Sequence, residues 1–256
     1  MVSLESDTEL PAASQARVFL SAEWRDLVML NYAVESGLLA RYVPRGTELD
    51  SFAGKTYVSL VGFRFLRAKI FGFCSIPFHK DFDEVNLRFY VKRREGETVK
   101  RGVVFIREIV PRRAIALVAR VVYGENYVRR PMRHRIQRQV GGPSISAEYQ
   151  WQSGGGEWCS ARAEGFGEPT YPSERSLEQF ITEHYWGYAK QRGGGSVEYQ
   201  VTHVPWRVWA ATDSGFLGQA SDLYGDAFAE VLSRKPNSAF IADGSAVRVL
   251  AGRRIG

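Results

Sequence analysis

Residues 82–91 read Phe82-Asp-Glu-Val-Asn-Leu-Arg-Phe-Tyr-Val91. Glu84, Asn86, Arg88 and Tyr90 fall on one side of this segment, and Val85, Leu87, Phe89 and Val91 on the other. That is the two-residue period of a β-strand. Side chains two apart on one face lie about 7 Å from each other, so a small polar ligand can bridge an acid, an amide and a base at these positions. The polar side either faces water, where a Glu84–Arg88 pair contributes under about 1 kcal/mol, or lines a polar cavity. The segment alone leaves both open.

Working outward, the same alternation, rich in β-branched and aromatic residues, predicts strands over Thr56–Phe65, Gly102–Val110, Met132–Val140, Ser144–Gln152 and Glu157–Phe166. It predicts further strands over Ser196–Val204, Arg207–Thr212, Ala239–Ala242 and Val247–Leu250. Gly154–Gly156 and Gly141-Gly142-Pro143 are placed to close hairpins. Three helices are expected. One follows Pro111, with Ala114, Leu117, Val118 and Val121 as its apolar stripe. The second starts at Ser176, where Ser-x-x-Gln179 forms a capping box, and its face is Leu177, Phe180, Ile181, His184 and Tyr188. The third covers Asp222–Leu232, and a helical turn at Leu38–Tyr42 ends before Pro44. The expected fold is mainly β (β-rich α+β), a barrel or cupped sheet with a few covering helices and an internal cavity.

The bulk composition agrees. The chain has 256 residues, 45% of them hydrophobic, with 13% aromatics and 25 glycines, which suits a sizeable β-rich core. Residues 1–15 are polar and read as a flexible tail, and residues 16–256 as one domain without repeats or linkers. No leader pattern opens the chain and no apolar run approaches about 18 residues, so a cytoplasmic, non-membrane protein is expected. Its two cysteines, Cys74 and Cys159, stand apart, and its histidines (79, 134, 184 and 203) form no ligand motif. Neither a disulfide framework nor a metal site is expected. No cofactor is expected either: there is no GxGxxG after a strand, no Walker loop and no nucleophile elbow.

The net charge of +6 favours anionic partners in general. The basic run Arg129–Arg138 has neither interleaved aromatics nor a helix-turn-helix spacing, so a solvated face is preferred over a nucleic-acid surface. His203 shares a face with Val197, Tyr199 and Val201 and reads as a core histidine rather than a base. The aromatic segment His184–Tyr188 reads as packing before it reads as a cleft lining. A small molecule is the expected partner, and self-association into a homo-oligomer stays open.

Several motifs in order resemble one family. They are Trp24-x-x-Leu27 with Asn31-Tyr32, Pro44-x-Gly46-x-x-Leu49-Asp50-x-Phe52-x-Gly54, Val61-Gly62-Phe63 and Phe82-x-Glu84-x-Asn86-x-Arg88-x-Tyr90-Val91. Gly102-Val103-Val104-Phe105, Leu177-x-x-Phe180-Ile181-Thr182-Glu183-x-Tyr185 and His203-x-Pro205-Trp206 follow. Together they resemble domain-of-unknown-function family 2071, the YqjF-like proteins, over about residues 17–252. That family is similar in fold to the acetoacetate decarboxylases. The resemblance implies a β-rich domain around a polar pocket, with Glu84 at the position of a pocket glutamate.

The second decarboxylase motif, Gly-Arg-Glu followed by Gly-aromatic-Pro-Lys, corresponds to Ala119–Tyr127. Arg120 and Gly124 keep its arginine and a glycine; Val121 replaces the glutamate and Tyr127 the lysine. Those enzymes need an amine of lowered pKa to form an imine with a ketone, and acetoacetate decarboxylase is the standard example of that device. A phenol cannot do this, and the nearby Arg129 and Arg130 stay protonated.

The implied ligand-binding set is Glu84, Asn86, Arg88, Arg120 and Tyr127. Tyr127 also reads as an ordinary packed side chain. The expected function is the binding of a small polar or carboxylated molecule without Schiff-base chemistry. One alternative is a lyase or hydrolase in which Arg88 or Arg120 holds a carboxylate and Glu84 or Tyr127 moves protons. The other is a structural or interaction protein with a filled core.

Overall fold

The computed structural model describes residues 17–71, 81–111, 126–139, 144–191 and 193–256. Strand β1 (Val18–Val34) leads into a helical turn, α1 (Ser36–Leu39), and a 3-10 turn at Ala40–Tyr42. Strands β2 (Glu48–Leu49), β3 (Thr56–Ile70), β4 (Phe82–Glu95), β5 (Thr98–Val110), β6 (Tyr127–Arg129), β7 (Met132–Arg138), β8 (Ser144–Gln152) and β9 (Trp158–Phe166) follow. After α2 (Leu177–Thr182) come β10 (Trp186–Lys190), β11 (Ser196–Thr202) and β12 (Val208–Leu217). Helices α3 (Ser221–Tyr224) and α4 (Asp226–Leu232) precede β13 (Ser238–Leu250) and β14 (Arg253–Ile255). The fold is β-rich with a few short covering helices.

The pairing order is β14-β11-β10-β5-β4-β3-β1-β13-β12-β9-β8-β7. β13 is long enough to pair with three partners. It runs along β1, pairs with β12 near its start, and meets β11 at Val201↔Val249 and Thr202↔Arg248. The last contact links the two ends of the path β11-β10-β5-β4-β3-β1-β13. The expected Ala239–Ala242 and Val247–Leu250 strands are therefore one strand. It passes through Gly244 at φ 76°, where a Cβ would stand 2.0 Å from the Trp24 carbonyl oxygen, so only glycine allows β1 and β13 to stay paired there.

Both faces of the main sheet are buried, and this sets the position of the site. Val85, Leu87, Phe89 and Val91 pack with Leu30, Leu60, Tyr149 and Trp151 on one face. Strands β8 and β9 and helices α3 and α4 cover that face. The opposite face gathers Met29, Val61, Phe63, Tyr90, Phe180 and Trp206. The Glu84 side of β4 is therefore not a solvated face: Glu84 is 3% exposed, Asn86 2% and Arg88 8%.

The helices depart from expectation in two places. Ser176 caps α2 as its motif implies, its hydroxyl accepting from the Gln179 amide at 3.1 Å. The helix stops at Thr182, and Trp186–Lys190 is a strand between β5 and β11. His184 and Tyr188 thus share no helical face. The expected helix over Asp222–Leu232 is two short helices broken at Gly225. The stripe after Pro111 and the turn Gly141-Gly142-Pro143 lie outside the described residues. Among those described, no helix is long and apolar enough to cross a membrane.

Candidate functional site

The Glu84 face of β4 opens into a cavity of about 140 Å³. Glu84, Asn86 and Arg88 line it, as do Glu108 from β5, Tyr127 from β6, and His184, Trp186 and His203. Much of the remaining wall is apolar, with Trp24, Phe63, Phe65, Phe82, Phe105 and Trp206 among its members.

Glu84 is the hub of the polar wall. The Asn86 amide donates to its Oε1 at 3.0 Å, and the Tyr127 hydroxyl donates to its Oε2 at 3.3 Å. Burial pushes its carboxyl up to about 7, against the two hydrogen bonds and the Arg88 charge, which pull it down. A carboxyl held there exchanges a proton near neutral pH. Two atoms beside it are buried without a hydrogen-bond partner among the described residues: the Asn86 Oδ1 acceptor and the Arg88 Nε donor. No carboxylate among the described residues forms an ion pair with Arg88. Its guanidinium instead sits 5.9 Å from the Tyr90 ring centroid.

Strict alternation would put Glu108 on the same side as Val104 and Ile106, away from the cavity. The β4–β5 ladder slips between Leu87↔Arg107 and Arg88↔Phe105, leaving Ile106 as an extra residue. This bulge turns the following residues over. Val103 and Phe105 line the cavity before it, and Glu108 lines it after, directly opposite Asn86. β6 then pairs parallel with β5 at Glu108↔Tyr127, which brings the Tyr127 hydroxyl to Glu84.

Two histidines complete the polar wall. His184 turns Nε2 to Asp50 Oδ2 at 3.3 Å, and that carboxylate can only accept, so the proton resides on Nε2. His184 Nδ1 is buried with no hydrogen-bond partner among the described residues. Burial pushes His184 down to about 4. Burial raises Asp50, but hydrogen bonds from His184 and Arg101 outweigh it and hold Asp50 at about 2. His203 donates Nδ1–H to the Val204 carbonyl at 2.8 Å and stacks on Trp206 with centroids 4.2 Å apart. Its pKa is also lowered by burial, to about 4.

The structure therefore gathers Glu84, Asn86, Arg88 and Tyr127 in one cavity. Arg120 lies outside the described residues. Glu108, His184 and Asp50 join the site although no motif singled out their roles. Within the basic run, Arg138 pairs with Asp26 at 2.7 Å, His134 meets Asp83 at 2.8 Å, and Arg133 stacks over Trp158. Among the described residues no cluster of His, Cys, Asp and Glu has the makings of a metal site.

Residues 21–246 match the model of DUF2071, an uncharacterized conserved protein family. The chain belongs to this family. The uncharacterized protein YqjF of Bacillus subtilis (strain 168) is 24% identical over 202 residues, 79% of this chain and 80% of that one. In structure, the chain is similar to acetoacetate decarboxylase from Legionella pneumophila. The TM-score is 0.65 at 12% identity, covering 100% of this chain and 98% of the other. It is also similar to the enduracididine biosynthesis enzyme MppR complexed with pyruvate. There the TM-score is 0.64 at 14% identity, covering 96% and 93%. At such identities these structures share a fold with the family member described here, and function does not follow from that.

Proposed function

We propose that this protein binds a small carboxylated molecule in the Glu84 cavity, with Arg88 holding the carboxylate. The observation that carries the reading is the Arg88 guanidinium, buried in the cavity wall with its Nε unpartnered among the described residues. No described carboxylate lies within ion-pair distance of it, and a carboxylate meeting the guanidinium fork supplies both charge and hydrogen bonds. The Asn86 Oδ1 acceptor would take a donor from the same ligand. The pairing path closed by β11 and β13 supports reading the main sheet as a barrel or cup around this ligand. That a protein of similar fold was solved with pyruvate, a small carboxylate, supports the same class. With Tyr127 where the decarboxylases carry their lysine, imine chemistry is not part of the proposal.

The test is calorimetry and thermal shift with acetate, pyruvate and acetoacetate against the neutral acetone and acetamide. Carboxylates should bind saturably and raise the melting temperature. Arg88→Gln, checked for an intact fold by circular dichroism, should abolish binding. Equal binding of the neutral compounds, or full affinity in Arg88→Gln, would remove the assignment.

One observation favours a second reading, an enzyme of lyase or hydrolase type. Glu84 at about 7, with the Tyr127 hydroxyl on its Oε2, suits proton transfer to a substrate held by Arg88. Such a site would exchange the protons next to a bound ketone carbonyl with D2O, which NMR follows directly. Exchange should fall in Glu84→Gln and Tyr127→Phe; the absence of any catalysed exchange would leave binding as the function.

A further inference from the structure

We propose that the ligand of this cavity is an amphipathic monocarboxylate of roughly ten non-hydrogen atoms, an aromatic or branched apolar body behind one charged head. This rests on the assignment of Arg88 as the carboxylate site and extends it from the head group to the whole molecule. The lining residues divide by their place in the pairing order. Glu84, Asn86, Arg88 and Glu108 come from the neighbouring strands β4 and β5, with Tyr127 beside them on β6. The strands at the other side of the closed path, β1, β13 and β11, present Leu20, Trp24, Val249 and Val201. β3, between them, adds Phe63 and Phe65.

The charged lining groups thus stand together on one side of the cavity, among Phe82, Val103 and Phe105, and the facing side is apolar apart from Tyr199 and the neutral His203 that follows β11. A ligand that is polar all over would leave its groups unpaired against β1, β3, β11 and β13. The size follows from the volume: about 140 Å³ is available, many times the roughly 10–15 Å³ that suffices for one ordered water. Acetate or pyruvate would fill only part of the cavity, leaving the aromatic wall without contacts. An apolar ring would meet Trp24, Phe63 and Phe65 in edge or offset contacts.

The experiment is calorimetry on the full chain with acetate, butanoate, hexanoate, phenylacetate and 3-phenylpropanoate. 2-Phenylacetamide and 2-phenylethanol serve as uncharged matches. Affinity should rise about fourfold for each added methylene, so phenylacetate should bind at least 100-fold more tightly than acetate. Val249→Phe, which fills the apolar side, should lower phenylacetate affinity at least tenfold. The wild-type series carries the test by itself if that variant folds poorly. Equal affinity for all five carboxylates, lost in Arg88→Gln, would overturn the apolar body while leaving the carboxylate site in place. Equal affinity for phenylacetate and phenylacetamide would overturn the carboxylate site and leave an apolar cavity. No binding by any compound would overturn both.

Discussion

Asn126 closes the break in β5: its side-chain amide donates to the Ile106 carbonyl at 3.0 Å. Ile106 is the extra residue of the bulge, so its carbonyl has lost a regular ladder position. The same side chain accepts from Arg107 Nη1 at 3.1 Å, and the Asn126 carbonyl accepts the Glu108 amide at 3.2 Å. One asparagine therefore holds the bulge that turns Glu108 toward the cavity and delivers Tyr127 beside Glu84. Replacing it with alanine leaves a freed backbone carbonyl unsatisfied. Asn126→Ala should lose about 1–3 kcal/mol of stability, read from urea unfolding. It should also weaken carboxylate binding, although Asn126 does not line the cavity.

Binding should depend on pH through Glu84. Its carboxyl is raised to about 7 by burial. An anion seated at Arg88 is repelled when Glu84 ionises and is not repelled when it is protonated. Affinity should be level below pH 6 and fall as pH rises through 7, by up to about tenfold per unit beyond it. In Glu84→Gln the profile should be flat. Calorimetry at half-unit steps from pH 5.5 to 8.5 checks this, and a flat wild-type profile would separate Glu84 from the ligand.

The legible part of this fold was the part that alternates. Phe82–Val91 and Ser144–Gln152 keep a strict period of two, and both are strands over those residues. β1 carries no such signal because Asp26–Tyr32 is buried without interruption, between two cores, and the left-handed Asp26 (φ 56°) interrupts its register. β10 was masked for a different reason: Phe180, His184 and Tyr188 are spaced four apart and mimic a helical stripe. The two later positions are separated in space by burial on opposite faces, His184 on the cavity and Tyr188 in the opposite core. Glu84, Asn86 and Arg88 were legible as a group because they share one unbroken strand. Glu108 was not, because a one-residue slip reverses which face it belongs to, and a slip leaves no mark in composition.

Stability should peak near pH 6.5 and decline on both sides, for opposing reasons. Glu84 is raised from 4.5 to about 7, so its contribution is complete below 4.5 and is lost as pH rises through 7. His184 and His203 are lowered from 6.5 to about 4, so the fold favours their neutral forms and loses stability as pH falls from 6.5 toward 4. Between 6.5 and 4.5 the unfolded chain binds two protons at the histidines, while the folded chain binds one at Glu84. The net slope is about 1.4 kcal/mol lost per unit of acidification. Glu84→Gln removes the compensating proton, so its slope should double to about 2.7 kcal/mol per unit, and above pH 7 the variant should be more stable than the parent. Urea unfolding across this range, with His203→Asn to halve the variant's slope, tests the bookkeeping.

Gly187 shows how narrowly the cavity wall is built. It lies opposite Tyr199 in the β10–β11 ladder, and a Cβ there would fall 2.1 Å from the ring carbon bearing the hydroxyl. Tyr199 lines the cavity, so the absent side chain is what lets its ring lie across β10. An added methyl must push the ring inward or part the two strands, because the ring has backbone on one side and neighbours in the core on the other. Gly187→Ala should therefore destabilise by about 1–3 kcal/mol, although alanine elsewhere in a strand is preferred to glycine. If the ring moves inward it narrows the cavity, and phenylacetate should lose affinity while acetate keeps it. If the strands part instead, amide hydrogen exchange at Trp186 and Tyr188 should accelerate with ligand preference unchanged. Exchange and calorimetry on the same variant distinguish the two, and an undiminished stability would show that Tyr199 does not hold the position that makes glycine necessary.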